Sequence, residues 1–201
     1  MDRRDAYRLA APFYDLAMAG LLRQARRDSL GSLTLAPGAR LLIAGAGTGL
    51  DFPHLPGDLD AVALDLAPEM LRRARRRIGG LGLEKVVLLR GDAQRLPFQD
   101  GSFDGALLHL ILAVAPSGRR VLAEACRCVR PGGRLSVLDK FLPDEAAAVP
   151  MWRKLAQGPM LPFTDLNRRF GPMREGLPIR VLRDDPVLLR GMFRRILLER
   201  E

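Results

Sequence analysis

The sequence predicts an α/β fold, a Rossmann-like doubly wound sheet that is mostly parallel and is preceded by one or two helices. Short apolar runs alternate with helical segments between residues 40 and 139, as in parallel strands joined by crossover helices. The first run ends in a Gly-x-Gly-x-Gly turn at 45–49, and the second ends in Asp65. Ligands of open parallel sheets bind beyond the carboxyl ends of the strands, so both features indicate a ligand site at that edge.

The order of the runs assigns each element. Strands are expected at 40–44, 61–65, 85–89, 103–108, 133–139, 178–183 and 192–199. Helices are expected at 49–55, 68–79, 117–129 and 144–157, besides one or two helices before residue 35. Pro68 near a first helical turn supports the helix at 68–79. Asp184-Asp185-Pro186 is expected to join the last two strands.

A single domain over residues 1–201 is expected, since ~100–200 residues is the usual size of one domain. Within it we expect a helical cap at 1–35, a cofactor-binding core at 36–142 and a closing strand pair at 178–201. Residues 143–178 lose the strand–helix alternation and are rich in proline. We interpret them as an insertion that forms much of the pocket for the second substrate.

The chain is basic, with 32 Lys and Arg against 23 Asp and Glu and a formal charge of +9. Nearly all of these cations are arginine, which together with abundant Ala, Leu, Gly and Pro is typical of a high-GC genome. The functional alternative is an anionic partner, either lipid headgroups or nucleic acid. Cys126 and Cys128 have no accompanying Cys or His cluster, so no metal site is predicted.

The N-terminus faintly imitates a signal peptide, with basic residues before an apolar stretch. Pro12 and Asp15 interrupt that stretch, and no run approaches the ~18 apolar residues of a membrane span. We therefore expect a soluble cytoplasmic protein, with peripheral contact to an anionic membrane as an option.

The glycine turn differs from the dinucleotide fingerprint Gly-x-Gly-x-x-Gly, because Leu50 stands where that fingerprint has its third glycine. The turn still lets the backbone approach a ligand closely, which a Cβ would prevent. Asp65 at the end of the next strand can accept both hydroxyls of a ribose. A nucleoside cofactor is predicted, and the turn alone does not identify it.

Five segments, LLIAGAGTG, AVALDLAPEML, LLRGDAQRLPF, SFDGALLHLIL and VRPGGRLSVLD, occur in an order that resembles the class I S-adenosylmethionine-dependent methyltransferases. The resemblance covers about residues 35–142. It also implies an antiparallel last strand and an N-terminal helical cap on the Rossmann-like sheet. More narrowly, Phe13-Tyr14-Asp15, 49–56 and 109–114 look like small bacterial phospholipid N-methyltransferases. The chain departs from the family at Ile43, where an acidic residue usually supports the glycine turn.

The resemblance implies a set of cofactor-binding residues: Gly45, Ala46, Gly47, Gly49, Asp65, Leu66, Met70, Asp92 and Ala93. The glycine turn would wrap the amino acid part and the sugar of S-adenosylmethionine. Asp65 would accept the ribose hydroxyls, with a helix N-cap as the alternative. Leu66 and Met70 would lie along the adenine, or belong to the core. Asp92 would accept the adenine amino group beside the backbone N–H of Ala93, or be a turn aspartate.

On the acceptor side, His109 ends the fourth strand and could accept or orient the proton of an amine. A histidine of the pocket wall or core is the equal alternative. Tyr14 could close over the sulfonium by a cation–π contact, or simply pack. Asp139 and Lys140 end the fifth strand and would face the same cleft as substrate-binding residues.

These residues predict direct in-line methyl transfer to a small molecule or a lipid headgroup, an amine being one option. The resemblance disfavours nucleic acid, because Leu108-His109-Leu110-Ile111 stands where base N-methyltransferases have an Asn/Asp-Pro-Pro-aromatic motif. The alternatives are a cofactor-binding module without catalysis and a nicotinamide-dependent oxidoreductase. The sequence identifies neither the methyl acceptor nor the oligomeric state.

Overall fold

A seven-stranded sheet organises the chain. The computed structural model describes residues 20–146, 148–160, 164–189 and 191–201. Its strands are β1 (Arg40–Ala44), β2 (Asp60–Asp65), β3 (Val86–Arg90), β4 (Phe103–His109), β5 (Val129–Lys140), β6 (Ile179–Leu188) and β7 (Phe193–Arg200). They lie in the order β3-β2-β1-β4-β5-β7-β6. Strand β7 runs antiparallel to both its neighbours and the rest are parallel, which confirms the predicted fold class.

The helices cover both faces of this sheet. They are α1 (Arg23–Ser32), α2 (Pro68–Leu81), α3 (Gly118–Cys128), α4 (Met151–Met160) and a short α5 (Phe170–Arg174). One face of the sheet packs against α3 through an apolar cluster that includes Leu42, Leu108 and Val137. The other face packs against α1 and α2 through a second apolar cluster, which includes Ile43 and Leu107.

The strand order changes direction at β1: β2 and β3 are added on one side of it, and β4 and the later strands on the other. Strand β1 pairs with β2 on one side and with β4 on the other, so Leu41 lies opposite Ala61 and opposite Gly105. Ligands of doubly wound sheets bind at such a switch point, beyond the carboxyl ends of the strands, because the connections leave in opposite directions there. Strands β1, β2 and β4 end at this edge, at Ala44, Asp65 and His109.

Two predicted helices differ from the structure. The segment expected to be helical at 49–55 forms only a 3-10 turn at Phe52–His54, since Gly49 has a φ of 79° and Pro53 and Pro56 interrupt an α-helical ladder. The helix expected at 144–157 begins later, at Met151, directly after Pro150. Proline disfavours the helical conformation in the residue before it, which excludes the earlier start.

The closing strand pair is longer than expected. Asp184, Asp185 and Pro186 do not form the connection but belong to β6, and Pro186 lies opposite Arg194 of β7. Proline is tolerated there because β6 is the edge of the sheet and needs no donor on its outer side. The chain turns instead around Leu189 and Gly191, whose φ values are 51° and 83°.

Replacing Leu107 by Ala should lower the free energy of unfolding by about 2–5 kcal/mol, because its side chain is fully buried in the central strand β4. The matched control is Val87→Ala on the edge strand β3, where the side chain is 59% exposed and the expected loss is below about 1 kcal/mol. Urea denaturation of both variants measures the difference. Equal losses would contradict the assignment of β4 to the centre of the sheet.

Candidate cofactor and active site

The glycine turn at the end of β1 is held by the neighbouring strand. The backbone N–H groups of Gly45 and Ala46 both donate to the carbonyl of Leu64, at 2.9 Å. Gly45 has a φ of 76°, and a Cβ built on it would lie 2.8 Å from the side chain of Ile111. Gly47, with a φ of 54°, has open space where its Cβ would be. The turn therefore packs inward at Gly45 and offers its backbone to a ligand at Gly47.

Asp65 joins this turn to the start of α2. Its Oδ2 accepts the N–H of Gly47 at 2.7 Å, and its Oδ1 accepts the N–H of Ala67 at 2.9 Å. Burial raises the pKa of Asp65, and the backbone hydrogen bonds only partly oppose that effect. The N-cap position of α2 is Ala67 rather than Asp65, so the N-cap alternative for Asp65 does not apply. Each carboxylate oxygen keeps further lone-pair capacity for a ligand hydroxyl.

The residues predicted to hold the adenine end lie at the neighbouring strand ends. Leu66 is 49% exposed, and Met70 is half-buried in the first turn of α2. Asp92 is exposed and accepts the backbone N–H of Gln94 at 2.9 Å, a hydrogen bond typical of an aspartate in a turn. Ala93 is buried beside it. This conformation leaves Asp92 at the surface, where a ligand can reach it.

His109 makes hydrogen bonds through both ring nitrogens. Its Nδ1 lies 2.7 Å from Oδ1 of Asp51, and its Nε2 lies 2.7 Å from Oγ of Ser29. The same Asp51 oxygen accepts a hydrogen bond from NH1 of Arg26 at 2.8 Å. The Oγ of Ser29 lies 2.5 Å from the Oγ of Ser136. Because no ring nitrogen is left for a substrate proton in this arrangement, it favours a core histidine over a general base.

Four members of that network are not among the predicted site residues: Arg26, Ser29, Asp51 and Ser136. Burial by itself would raise the pKa of Asp51, but the charges and hydrogen bonds of Arg26 and His109 outweigh it and hold that pKa well below its ordinary value of 3.8. A sequence signal exists in the spacing of Arg26 and Ser29, which places both on one face of α1. Nothing in the spacing pairs that face with Asp51.

Asp139 and Lys140 end β5 as predicted, and both are buried. Asp139 accepts the N–H groups of Ala113 and Lys140, at 2.9 and 2.8 Å, and burial raises its pKa. Burial lowers the pKa of Lys140, with Asp139 acting in the opposite direction. The Lys140 ammonium lies 5.7 Å from the ring centre of Phe193, and no ion pair joins it to another described residue. Tyr14 lies outside the described residues.

Two further features concern ligands and membranes. Among the described residues, no group of three or more His, Cys, Asp or Glu side chains is placed to bind a metal ion. Within the same part of the chain, none of the helices combines the length and the apolar character that a bilayer-crossing segment needs.

A glycine turn and a carboxylate at the strand ends, at the switch point of a doubly wound sheet, are features of the class of enzymes that bind a nucleoside cofactor. A family model described as "Methyltransferase domain" matches residues 42–137. A phosphatidylethanolamine N-methyltransferase from Cereibacter sphaeroides is 32% identical over 145 residues, covering 72% of this chain and 71% of that protein. A demethylmenaquinone methyltransferase from Thermus thermophilus is 35% identical, covering 82% of this chain and 78% of that protein.

The chain belongs to the class I S-adenosylmethionine-dependent methyltransferase family. Other demethylmenaquinone methyltransferases are longer, and the chain covers 52% to 57% of the length of four of them. The fold is also that of a geranyl diphosphate methyltransferase solved with S-adenosylmethionine, with a TM-score of 0.77 and 15% identity over 89% of this chain and 85% of that one.

The residues present fit S-adenosylmethionine, which is the cofactor of this enzyme. Gly47 presents backbone to open space, Asp65 has remaining acceptor capacity, and Leu66 exposes an apolar surface beside them. A sugar, its hydroxyls and a purine face are the chemistry those three features suit. The family decides against the nicotinamide alternative and against a module without catalysis.

Asp65→Ala should weaken the binding of S-adenosylhomocysteine at least about tenfold, since a hydrogen bond to a charged group contributes roughly 1.5–3 kcal/mol. The control is Asp60→Ala at the opposite end of β2, where the carboxylate is exposed and 3.9 Å from Lys85. Isothermal titration calorimetry of both variants gives the two dissociation constants. Unchanged affinity in Asp65→Ala would remove this residue from the cofactor site.

Proposed function

We propose that this enzyme methylates the amine of a phospholipid headgroup. The observation that carries the proposal is the similarity to a phosphatidylethanolamine N-methyltransferase, of which the chain covers 71% at 32% identity. The formal charge of +9 supports it, because a basic protein is attracted to an anionic bilayer surface. In this proposal the protein meets its substrate by peripheral contact with the membrane.

The chemistry asks little of the side chains beyond positioning. S-adenosylmethionine supplies an activated methyl group when bound, so the protein must align donor and acceptor and exclude water. Gly45, Ala46, Gly47 and Gly49 would hold the amino acid part and the sugar, and Asp65 the ribose hydroxyls. The other predicted residues, Leu66, Met70, Asp92 and Ala93, would hold the adenine.

The acceptor side would be formed by the end of β5. Lys140 is 5% exposed, and its ammonium forms no ion pair with another described residue. Among the described residues, the carboxylate whose charge acts on Lys140 is that of the preceding Asp139, which already accepts two backbone N–H groups. A buried cation in this position favours an anionic group of a ligand nearby. The phosphate of a phospholipid headgroup provides such a group close to the amine. Residues 143–178 would complete the pocket, and Tyr14 would cover it from the N-terminal side.

A demethylated menaquinol is the second candidate acceptor. It is favoured by the similarity to the demethylmenaquinone methyltransferase of Thermus thermophilus, at 35% identity over 78% of that protein. A phenolate oxygen of a quinol would suit Lys140 as well as a phosphate does. The two candidates differ in the acceptor atom, which is nitrogen in one and carbon in the other.

Incubation with phosphatidylethanolamine vesicles and labelled S-adenosylmethionine should transfer label to the headgroup, detected by mass spectrometry of the extracted lipid. Vesicles that also contain phosphatidylglycerol should co-sediment with the protein at low salt and release it at high salt, because screening removes the attraction of a basic surface. A parallel reaction uses a demethylated menaquinol in detergent micelles as the acceptor. Label in the quinol alone would refute the headgroup proposal.

Lys140→Met should raise KM for the acceptor about tenfold and leave the dissociation constant of S-adenosylhomocysteine unchanged, because methionine keeps the apolar stem and removes the charge. Lys85→Met is the control, since Lys85 is exposed near the start of β3, at the opposite end of the sheet from the site. Steady-state kinetics with either acceptor measures both parameters. An unchanged KM would exclude Lys140 from acceptor binding.

A further inference from the structure

Five polar side chains form a buried network between α1 and the sheet. Asp51 accepts from Arg26 and from Nδ1 of His109, while Nε2 of His109 meets Ser29, which meets Ser136 of β5. Their residues are all at most 5% exposed. One direction of donation satisfies the chain from Ser136 to Asp51 with a neutral imidazole: each hydroxyl donates onward, and Nδ1–H donates to the carboxylate.

The connectivity of Asp51, His109 and Ser29 is that of a nucleophilic Ser–His–Asp triad. Ser29 is nevertheless 0% exposed, lies within α1, and is itself hydrogen-bonded by Ser136. A nucleophile must reach a substrate carbon, and this hydroxyl reaches only protein. The network therefore positions elements and does not perform acyl transfer.

Two members of the network, Asp51 and His109, lie close in sequence to the side chains that pack on the two ends of the glycine turn. Asp51 lies two residues after Gly49, and Phe52 packs so closely on Gly49 that a Cβ there would be 2.5 Å from its ring. His109 lies two residues before Ile111, whose side chain fills the space that a Cβ on Gly45 would take. Leu110 between them has a φ of 58° and donates to the carbonyl of Leu138. Displacing Asp51 or His109 therefore displaces a side chain that packs on the turn.

Helix α1 forms the other end of the network. Arg26 and Ser29 are its two buried polar residues, and α1 packs on β5 and β7. Arg26 has no carboxylate partner other than Asp51 among the described residues. The position of α1 is thus tied by a buried ion pair to the loop that follows the glycine turn.

We propose that Asp51 and His109 are positioning residues that couple helix α1 to the cofactor turn. A cofactor that orders the turn then also stabilises the position of α1. By reciprocity, displacement of α1 lowers the affinity for the cofactor, as any coupling between two sites requires. Removing one partner of a buried ion pair leaves the other charge uncompensated, so variants of this network should have measurable effects. Both residues act through geometry, without touching the methyl group.

Hydrogen–deuterium exchange of α1 amides, with and without saturating S-adenosylhomocysteine, tests the coupling directly. In the unmodified enzyme the ligand should slow exchange in α1 about tenfold. In His109→Gln the ligand still binds at saturation but should leave α1 exchange unchanged. A merely structural role would alter exchange in the free variant and keep the response to ligand. No response of α1 in the unmodified enzyme would overturn the proposal.

Titration calorimetry supplies the second readout. Asp51→Asn and His109→Gln should each raise the dissociation constant of S-adenosylhomocysteine about tenfold. The double variant should lose little more affinity, because both changes break the same network. His54→Gln is the matched control, since this other histidine ends the same 3-10 turn and should change affinity less than about twofold. If Asp51→Asn does not fold, Ser136→Ala removes only the terminal hydroxyl. Full additivity, or equal loss in His54→Gln, would refute the coupling.

Discussion

The carboxylate of Asp65 is the interaction on which the site depends. It accepts N–H groups from Gly47 on one side and Ala67 on the other, so it fixes the end of β1, the end of β2 and the start of α2 together. Burial raises its pKa, and three backbone donors only partly compensate. A ligand hydroxyl that adds a further hydrogen bond would relieve this cost, which suits a residue at the centre of a binding site.

A second buried carboxylate, Asp51, supports the turn from the opposite side. Ile43 stands where the resemblance implies an acidic residue, and it is 1% exposed in the apolar cluster beneath α1. In this chain the carboxylate of Asp51, in the loop after the turn, is held by hydrogen bonds from Arg26 and His109. Because Asp51 has partners and Ile43 has apolar neighbours, neither is left unsatisfied.

The sequence predicted the parts of the fold that have a period or a motif. Strand β1 has the expected limits, and the glycine turn and Asp65 lie where the segment order placed them. Local signals failed where long-range pairing decides: Pro186 suggests a turn, but pairing with Arg194 keeps it in a strand. His109 is similar, since its role depends on Ser29, 80 residues away, and on Asp51, 58 residues away. No spacing rule connects such positions.

The outer edge of β6 also limits how copies of this protein can meet. Pro186 offers no N–H there, and the exposed residues of the strand include Arg180, Arg183 and Asp184. An added strand would have to leave a donor position empty and align charges against its own copies. Extension of the sheet into a continuous fibre or a shared-sheet dimer is therefore disfavoured along this edge.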